Sequence, residues 1–412
     1  MGFRIFYDIP HNLSSYILIV KMRCFLFSDF EVAKPMASGK RTIYLAKGLK
    51  SANPDIEVEI DIVNDYNTTL DNRNKIGIID GIRYRYVNRS GIPYKNIVRK
   101  IYSRLKSGFE VFTFINNNIK QDDIVYCYLH DFIVLIAVIF ASKKARAKLV
   151  REVVEIPYYY EGSIPQVKRI FDRNIILRLF DGVTCISLEL MDYINKYKSK
   201  KTKIIKIPVI VNNDDFVKSV SSPFSFPYII HTGTMLEHKD GISYIIRAFA
   251  KFKEYDDSGC KLVFAGPHSV DNCSYIPLMK ELKIYDDILL LGMIHNKEEL
   301  CNLQSHAAMS IVYRFENLQT RYGFSTKMGE ILSLETPLVT TPIGGHVEYL
   351  KDRFNVFYVN PGDIDQLAIV IDYIITHSSE SKQIGLNGKI TAEQSFNYAI
   401  IGNKLYDFLR SL

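Results

Sequence analysis

Tryptophan is absent from the 412 residues, and the only six cysteines stand far apart, at positions 24, 127, 185, 260, 273 and 301. They form no C-x-x-C pair, the spacing typical of zinc sites and redox-active pairs. Several of them lie inside apolar runs, which predicts reduced core residues of a cytoplasmic protein. No cluster of His, Cys and carboxylates has metal-ligand spacing, so we expect neither a metal ion nor another resident cofactor.

Long apolar runs are also lacking, which argues against a membrane span. The longest, Phe132–Ala141, has about ten residues, whereas a spanning helix needs about 20. Ser14–Val20 is shorter still, and no small-residue cleavage site follows it. The first convincing strand begins just after Met22, which raises the hypothesis that translation starts there and that residues 1–21 are an extension.

The length and the distribution of charge both divide the chain in two. A chain of 412 residues exceeds what one hydrophobic core supports, so two domains are expected. The net charge of +7 is uneven, because residues 1–210 contain 34 Lys and Arg against 21 Asp and Glu. The basic half favours an anionic partner or an anionic membrane surface, although a solvated surface explains the bias equally well. We expect no nucleic-acid partner.

Short apolar strands alternate with amphipathic helices along both halves, a pattern typical of parallel sheets covered by helices. The first half, residues 1–210, contains strands from 21–28 to 204–210. The segment Val211–Pro227, rich in Asn, Asp and Ser, is predicted to be a linker. The pattern restarts at Tyr228 and continues to residue 395, and an amphipathic helix within 396–412 ends the chain. The predicted class is therefore α/β with two Rossmann-like domains.

Ligands of such domains bind at the carboxyl ends of the strands, so the loops that follow the strands are the candidate sites. After the strand Tyr228–Thr232, the loop Gly233–Gly241 places Lys239 just before a helix. An ammonium group beside free helix N–H groups suits a diphosphate. A solvated lysine in an ordinary loop explains the same residues without a ligand.

A second loop follows the strand Ala308–Val312 and leads into a helix that Ser325 and Thr326 open. Glu330 lies about one turn inside this helix, where a carboxylate accepts two hydrogen bonds from a ribose diol in many nucleotide folds. A surface glutamate is an equal alternative. A third loop, Thr340–Gly345, repeats the order of strand, glycine turn and helix, and we expect it to bring backbone N–H groups toward the same ligand.

Several segments within Ile229–Asp363 resemble the retaining GT-B glycosyltransferases of family 4, in order and in spacing. The N-terminal half is similar at Asp181–Ser187 and Ile204–Phe216, and elsewhere in general plan only. The resemblance implies an acceptor-binding domain at 1–210, a donor-binding domain at 211–395, sheets that face each other across a cleft, and a C-terminal helix, 396–412, that returns to the N-terminal domain. The segments that match are His231–Gly233, Lys239–Gly241, Leu262–Gly266, Phe324–Leu332, Thr336–Thr341 and Tyr358–Asp363.

The resemblance implies a nucleotide-diphosphate-sugar as donor and assigns residues to it. The family's diphosphate lysine falls on Lys239, and the second glutamate of its paired-glutamate motif falls on Glu330. Two positions depart from the family: Thr234 stands where an arginine usually assists the lysine, and Tyr322 where the first glutamate is expected. The donor-binding residues predicted in full are Gly233, Thr234, Lys239, Gly266, Tyr322, Gly323, Phe324, Ser325, Thr326, Lys327 and Glu330.

On the acceptor side, Ser38 and Gly39 lie in a segment that resembles the family's glycine-containing loop after the first strand. His130 follows a strand at a position where the family often has a histidine close to the sugar, although a capping or core histidine is an equal alternative. Glu152, and more weakly Glu155, follow the next strand and are predicted to line the acceptor site. The predicted catalytic residues are His130, Lys239 and Glu330.

Together these features predict a retaining, metal-independent glycosyltransferase that moves a sugar to a glycan or lipid-linked acceptor in surface polysaccharide synthesis. Arg321 or Lys327 is a candidate to replace the cation missing at Thr234. A nucleotide-sugar epimerase of the same fold stays open. So does a non-catalytic partner subunit, because of Thr234 and Tyr322. We expect a cytoplasmic protein, with peripheral contact to the inner face of the membrane through its basic half.

Overall fold

Two sheets are built from the apolar strands of the two halves, as seen in a computed structural model of the protein. The structure describes residues 22–32, 37–63, 76–88, 97–157, 163–218, 221–267 and 273–412. In this part of the chain, an eight-stranded sheet lies in the N-terminal half and a six-stranded sheet in the C-terminal half. The predicted α/β class with two parallel-sheet domains is confirmed. The hypothesis about residues 1–21 lies outside the described residues.

The N-terminal sheet has the strand order β3-β4-β2-β1-β5-β6-β7-β8. All neighbouring strands run parallel except β3 and β4, which form an antiparallel pair at one edge. The strands are β1 (Arg23–Ser28), β2 (Glu57–Ile62), β3 (Ile76–Ile79), β4 (Ile82–Tyr86), β5 (Ile124–Tyr128), β6 (Lys148–Val153), β7 (Gly182–Cys185) and β8 (Lys203–Lys206).

Helices cover both faces of this sheet and bury two separate apolar clusters. On one face lie α1 (Ala37–Ala52) and the last helix of the chain, α14 (Tyr398–Arg410). On the other face lie α2 (Ile97–Asn118) and α3 (Phe132–Ala145). The remaining helices of this half are α4 (Ser163–Asn174), which leads from β6 towards β7, and α5 (Leu188–Asn195), which follows β7.

The C-terminal sheet is parallel throughout, with the strand order β11-β10-β9-β12-β13-β14. Its strands are β9 (Tyr228–Thr232), β10 (Lys261–Ala265), β11 (Ile288–Leu290), β12 (Met309–Val312), β13 (Leu338–Thr340) and β14 (Phe357–Tyr358). Its helices are α6 (Glu237–Asp240), α7 (Ile242–Lys253), α8 (Ile276–Glu281), α9 (Lys297–Ser305), α10 (Leu318–Tyr322), α11 (Thr326–Ser333), α12 (Ile364–Thr376) and α13 (Ser378–Ser395).

Several elements differ from the sequence-based expectation, each for an identifiable reason. The long helix α2 was not predicted, because apolar residues occur on both its buried and its exposed sides and blur the helical period. The helix α13 was missed because Gly385 and Gly388 interrupt a weakly periodic segment. The predicted loop at 313–321 contains most of α10, which Asn317 caps. Asp363 is the N-cap of α12, since its side chain accepts from Gln366 N, and Asp at this position is a common helix-start signal in sequence.

The C-terminal helix α14 returns to the N-terminal domain, as the resemblance implied. It crosses α1 at two glycines, and the Gly402 backbone is so close to Gly48 that a Cβ on either residue would overlap the other helix. The Asn53 side-chain amide donates to Tyr406 Oη at 2.6 Å, and Lys148 Nζ donates to the Leu412 carbonyl at 3.1 Å. The end of the chain therefore stabilises the first domain rather than the second.

Gly402→Ala is expected to lower the free energy of unfolding by about 1–3 kcal/mol, because the added methyl group enters a packed helix crossing. Gly108→Ala, in α2, is the matched control. A Cβ there meets its nearest atoms at 3.5 Å, an ordinary contact. The control should raise stability by up to ~1 kcal/mol, since alanine is the better helix former. Urea unfolding of the three proteins measures both changes, and equal midpoints for Gly402→Ala and the wild type would contradict the packing described here.

Candidate active site

The candidate site lies at the carboxyl edge of the C-terminal sheet. Because β9 pairs with both β10 and β12, the loops after these three strands are neighbours. The first two loops touch through their backbones: Gly233 N–H donates to the Ala265 carbonyl at 2.9 Å, and a Cβ on Gly266 would overlap the Gly233 carbonyl. Glycine is thus required at 266 for the loops to meet.

Lys327, in the first turn of α11, reaches from the segment that follows β12 to the loop that follows β9. A Cβ on Gly233 would overlap Lys327 Nζ, so the glycine leaves the space that the ammonium group occupies. The pKa of Lys327 is lowered to about 8, mainly by burial and against the opposing effect of the Asp240 carboxylate. Lys327 is therefore a desolvated cation at the strand ends, charged at neutral pH and close to its titration point.

Asp240, the last residue of α6, is the buried anion of this cluster. Thr234 Oγ1 donates to its Oδ2 at 3.0 Å, and Arg314 Nη1 lies 3.4 Å from its Oδ1. Burial by itself raises the pKa of Asp240, but Lys327, His231 and Arg314 outweigh this and lower it below the ordinary value. The threonine found where the family has an arginine thus binds a carboxylate, and the cations come from elsewhere.

Arg314 is one of these cations, and the sequence analysis missed it. It follows β12 by two residues and is 7% exposed. Its Nη1 donates to the Lys239 carbonyl at 3.1 Å, and its Nη2 donates to Ser325 Oγ at 3.3 Å. One guanidinium group therefore connects α6, which follows β9, with the start of α11. Its place just after a central strand was the available signal, because such positions face the ligand-binding edge of the sheet.

His231 was quoted only as part of a motif, yet its ring lies within the cluster. Its Nδ1 is 2.9 Å from the Ile311 carbonyl and therefore carries the proton. Burial first, and then Lys327, lowers the pKa of His231 to about 4, so the ring is neutral near pH 7. Its Nε2 lies on the Gly233 side and has no hydrogen-bond partner among the described residues. A buried acceptor is thus available beside the Lys327 ammonium group.

Lys239 and Glu330, the two residues that the donor prediction depends on most, both lie near Lys327. The Lys239 cation lowers the pKa of Lys327 and the Glu330 carboxylate raises it, so both charges lie within electrostatic range of the same amine. Lys239 is half-buried and belongs to α6, whereas the sequence analysis had placed it in a loop before the helix. Lys239 and Glu330 therefore both act on the charge of Lys327.

The start of α11 faces the same cluster. Ser325 occupies the N-cap position, but its side chain does not cap the helix and instead accepts from Arg314. Thr326 begins the helix, and Glu330 follows one turn later. A helix start carries partial positive charge, so α11 adds to the potential of the neighbouring side chains.

Glu330 also forms an ion pair across the cleft. Lys40, in the first turn of α1, places Nζ 3.0 Å from Glu330 Oε1, and the two side chains are 31% and 19% exposed. The ion pair connects the N-terminal domain with the helix that the donor is expected to contact. Ser38 and Gly39 belong to the same turn of α1, which corrects the prediction of a loop at these residues.

The third predicted loop, Thr340–Gly345, supports the segment after β12. Its Ile343 and Gly345 N–H groups are paired within the protein and do not face a ligand. Gly345 N–H donates to the Gly323 carbonyl at 2.9 Å, and Ile343 N–H donates to the Thr341 carbonyl at 2.8 Å. Thr341 Oγ1 donates to the Arg314 carbonyl at 2.8 Å. These two amides are thus already paired. The contacts to the Gly323 and Arg314 carbonyls hold the backbone at those residues in place.

Tyr322 and Phe324, the aromatic residues predicted to bind the donor, pack against other side chains of the protein. Tyr322 packs against Tyr193 of α5, with ring centroids 5.9 Å apart, and its carbonyl accepts from Ser187 Oγ at 2.7 Å. Phe324 is buried in the apolar core, where its ring meets Phe396. Arg321 is half exposed and pairs at its surface with Glu189 and Glu316, so Lys327 and not Arg321 lies beside Gly233.

His130 is the exposed polar group at the strand ends of the N-terminal domain. Its Nδ1 lies 3.3 Å from Asp29 Oδ1, and its backbone N–H donates to the same carboxylate at 2.6 Å. Burial against Phe30 and Tyr128 works to lower the pKa of His130, but Asp29 outweighs it and raises the pKa above the ordinary value. The ring thus carries more positive charge near pH 7 than a free histidine.

The prediction of Glu152 as an acceptor residue is wrong. Its side chain is fully buried, accepts from Arg41 at 2.7 Å and from the Tyr126 hydroxyl, and has no surface to offer an acceptor. Glu155, the weaker candidate, is partly exposed instead. Its Oε1 accepts from Gln319 Nε2 of the C-terminal domain at 3.1 Å, and its charge raises the pKa of both His130 and Arg314, against the effect of burial.

Within the described residues, no three of His, Cys, Asp and Glu lie close enough together to hold a metal ion. The Asp-x-Asp sequence at 363–365 is used otherwise, since Asp363 caps α12 and Asp365 pairs with Lys251. The strand-end cluster itself combines one buried carboxylate with several cations. Such a site favours an anionic ligand rather than a cation.

The C-terminal half matches a family of known proteins. Residues 226–377 match the family model of glycosyl transferases group 1. An uncharacterized glycosyltransferase of Methanocaldococcus jannaschii is 26% identical over 164 residues, 40% of this chain and 40% of that protein. The capsular polysaccharide biosynthesis glycosyltransferase CapM of Staphylococcus aureus is 32% identical over 85 residues, 21% of this chain and 22% of that protein. The chain thus matches less than half the length of either curated relative.

Solved structures match nearly the whole chain. Sucrose-phosphate synthase of Thermosynechococcus elongatus has a TM-score of 0.74 at 16% identity, with 95% of this chain and 99% of that chain covered. HepE of Anabaena, in complex with UDP-glucose, has a TM-score of 0.69 at 17% identity, with 94% of this chain and 100% of that chain covered. The chain therefore has the GT-B fold, with two Rossmann-like domains whose strand ends form the cleft.

We expect any binding of a nucleoside diphosphate to this cluster, probed with UDP, to weaken as the pH rises above about 8, because Lys327 then loses the proton that an anion requires. The loss should approach ~tenfold per pH unit above the pKa of Lys327 in the free protein. The phosphates of UDP, with a second pKa of about 6, do not titrate in this range. Isothermal titration calorimetry between pH 7 and about 9.5 measures the profile.

Lys327→Arg is the matched variant, since arginine stays charged throughout this range. Its UDP affinity should change little with pH. An equally steep loss of affinity in Lys327→Arg would assign the pH dependence to another group.

Proposed function

We propose that the protein is a glycosyltransferase that transfers a sugar from a nucleotide-diphosphate-sugar to an acceptor hydroxyl. One observation carries the proposal: the Lys327 ammonium group lies beside Gly233, and the charges of Arg314, Lys239 and Glu330 act on it. Cations beside a close-approach glycine fit a diphosphate, and a carboxylate one turn away fits the ribose diol. The family match over residues 226–377 includes these groups and supports the same reading.

In this proposal Lys327 and Arg314 supply the positive charge that an arginine at position 234 gives in the family. Arg314 is fixed by Asp240 and by the Lys239 carbonyl, so its charge does not have to reorganise during the reaction. Preorganised charge of this kind is the main way enzymes stabilise a developing anion. The departures at Thr234 and Tyr322 therefore do not by themselves argue for an inactive partner subunit.

The chemical step breaks the bond between the anomeric carbon and the β-phosphate oxygen. The diphosphate leaves with the bonding electrons, and the cations at Gly233 stabilise its charge. The acceptor oxygen forms the new bond to the anomeric carbon, and its proton passes to the departing diphosphate oxygen. We propose that His130 lies against the sugar and that Glu155 lines the acceptor side, since its charge acts on both His130 and Arg314. The groups named suffice for this step without a metal ion, and the resemblance to a retaining family supports retention of configuration.

We assign acceptor binding to residues 1–210 and donor binding to residues 211–395. The acceptor is proposed to be a glycan or a lipid-linked sugar of surface polysaccharide synthesis. Similarity over 85 residues to CapM, a capsular polysaccharide biosynthesis glycosyltransferase, supports this choice. The basic N-terminal half supports an anionic acceptor and peripheral contact with an anionic membrane.

Glu330→Ala is expected to weaken UDP binding by about tenfold to a hundredfold, because hydrogen bonds to a charged group contribute about 1.5–3 kcal/mol. Calorimetric titration measures the change. Glu281→Ala, an exposed glutamate at the end of α8, is the control and should bind as the wild type. Equal affinity of Glu330→Ala and the wild type would remove the ribose assignment.

Lys327→Met is expected to lower the rate of sugar transfer by about 10²-fold or more, since it removes a preorganised charge from the leaving group. Lys327→Arg should retain most of the rate. Labelled UDP-sugars with lipid-linked and glycan acceptors, analysed by chromatography and by NMR of the product anomer, measure transfer and stereochemistry. An epimerised donor, or a protein that neither binds nor turns over any nucleotide sugar, would contradict the proposal.

A further inference from the structure

One outer face of the N-terminal domain exposes more large apolar side chains than a water-facing helix normally does. On α2, five of them are at least half exposed and recur at helical spacing over three turns, so they lie on one face, opposite the buried residues Ser107 and Val111. These are Val98 (70%), Ile101 (50%), Tyr102 (65%), Leu105 (56%) and Phe109 (70%). Single exposed apolar residues are ordinary, whereas a contiguous row marks an interaction surface.

The neighbouring helices extend this row. Phe140 of α3 is 65% exposed and lies on the same side of α3 as Ile133 and Ala137, which face Gly108 of α2. On α4, Val167 is 65% exposed, with Ile170 and Phe171 about 40% exposed beside it. Phe171 packs against Phe132, the first residue of α3, with ring centroids 5.8 Å apart, which joins α4 to the same layer. We call the exposed apolar residues of α2, α3 and α4 the outer face.

The charge of these helices identifies the partner. By sequence, α2, α3 and α4 contain nine Lys and Arg and only two Asp and Glu. Both acidic residues face a cation of the protein: Glu110 lies 3.9 Å from Lys106, and Asp172 lies 2.8 Å from Arg151. Arg104 and Lys143 pair with Asp131 and Asp181 outside these helices, and basic residues stay in excess. An apolar row on helices with such an excess is typical of helices that lie in the interface of an anionic bilayer.

A second copy of the chain fits this face less well. A symmetric dimer places the same surface against itself, so the basic residues of the two copies would meet and repel. A bilayer with anionic headgroups accepts the apolar side chains and neutralises the cations together. No helix in the described ranges is long and apolar enough to cross a membrane.

The outer face is also close to the acceptor side of the cleft. Arg104 of α2 places Nε 2.8 Å from Asp131 Oδ2, and Asp131 directly follows His130. The same aspartate caps the start of α3 through the N–H groups of Ile133 and Val134. The apolar half of α2 is thus tied to the strand end that carries His130.

We propose that the outer face docks the protein on an anionic lipid surface, with the apolar side chains of α2 inserted among the headgroups. Docking brings the mouth of the cleft at His130 to the membrane. That second step rests on the proposed transfer to a lipid-linked acceptor, whereas docking itself does not.

Co-sedimentation of the full chain with vesicles tests docking. The wild type should bind vesicles of phosphatidylglycerol and phosphatidylcholine at low salt, and bind at least tenfold more weakly to phosphatidylcholine alone. Salt of about 0.5 M should weaken binding to the anionic vesicles several-fold, because it screens charge beyond a few ångströms. Absence of binding to anionic vesicles at low salt would overturn the proposal.

The triple variant Ile101→Ser, Leu105→Ser, Phe109→Ser should bind anionic vesicles at least tenfold more weakly than the wild type. The matched control, Phe354→Ser, Ile369→Ser, Ile390→Ser, removes three side chains of the C-terminal domain that are 55%, 62% and 41% exposed. The control should bind as the wild type. Both variants should keep the thermal midpoint of the wild type within a few degrees, which excludes unfolding as the cause.

Two further results would overturn docking. One is a triple variant that binds vesicles as the wild type does. The other is a wild-type dimer, seen by sedimentation velocity, that the triple variant converts to a monomer, because the face would then join two copies. UDP binding by the triple variant should be unchanged, so a failure of docking is distinguished from a failure of the proposed transferase function.

Discussion

The buried Asp240 carboxylate is the constraint on which the strand-end cluster depends. It is fully buried, and Thr234 and Arg314 surround it, with Lys327 and His231 within electrostatic range. A single buried anion allows several cations to be desolvated together, which they could not be alone, because an isolated buried charge is costly. The cluster keeps a surplus of positive charge, and this surplus is what a diphosphate requires. Threonine at 234 is part of this arrangement, since its hydroxyl donates to the Asp240 carboxylate.

The cleft is formed by polar contacts that join the two domains at several points. Lys40 pairs with Glu330, and Gln319 donates to Glu155. Behind them, the buried Arg41 guanidinium connects Glu152 with the carbonyls of Ile207 and Pro208, next to the connection between the domains. Arg41 and Lys40 are adjacent in α1, so the residue that fixes the helix stands beside the residue that reaches the cleft. Glu152 on β6 therefore positions Arg41 and with it α1, and does not bind an acceptor.

The two faces of the N-terminal sheet are used differently. The face covered by α1 is closed by α14, whose close crossing at Gly48 and Gly402 leaves no room for a ligand or partner. The face covered by α2 and α3 keeps a row of exposed apolar side chains on α2. In a parallel sheet the helices start at the carboxyl ends of the strands, which form the edge of the cleft. The first half of α2, which carries the apolar row, and His130 therefore lie at the same edge of the domain. Fold, charge and exposed surface together agree with the proposed docking on an anionic lipid surface.

The sequence predicted the local structure, but it did not predict which distant residues come into contact. Alternating apolar strands, glycine turns and the N-cap at Asp363 follow from neighbours in sequence, so the α/β class, most elements, the loop with Gly233 and the helix with Glu330 were predicted. Arg314, His231 and Lys40 were missed and Glu152 was misassigned, because burial and partners depend on strand order and domain contact: Arg314 meets Lys239 across 75 residues and Lys40 meets Glu330 across 290. The sequence alone determined the order of strands and helices and which loops follow the strands. Only the tertiary structure decided which charges share one desolvated space, since that depends on distances between elements that no local pattern encodes.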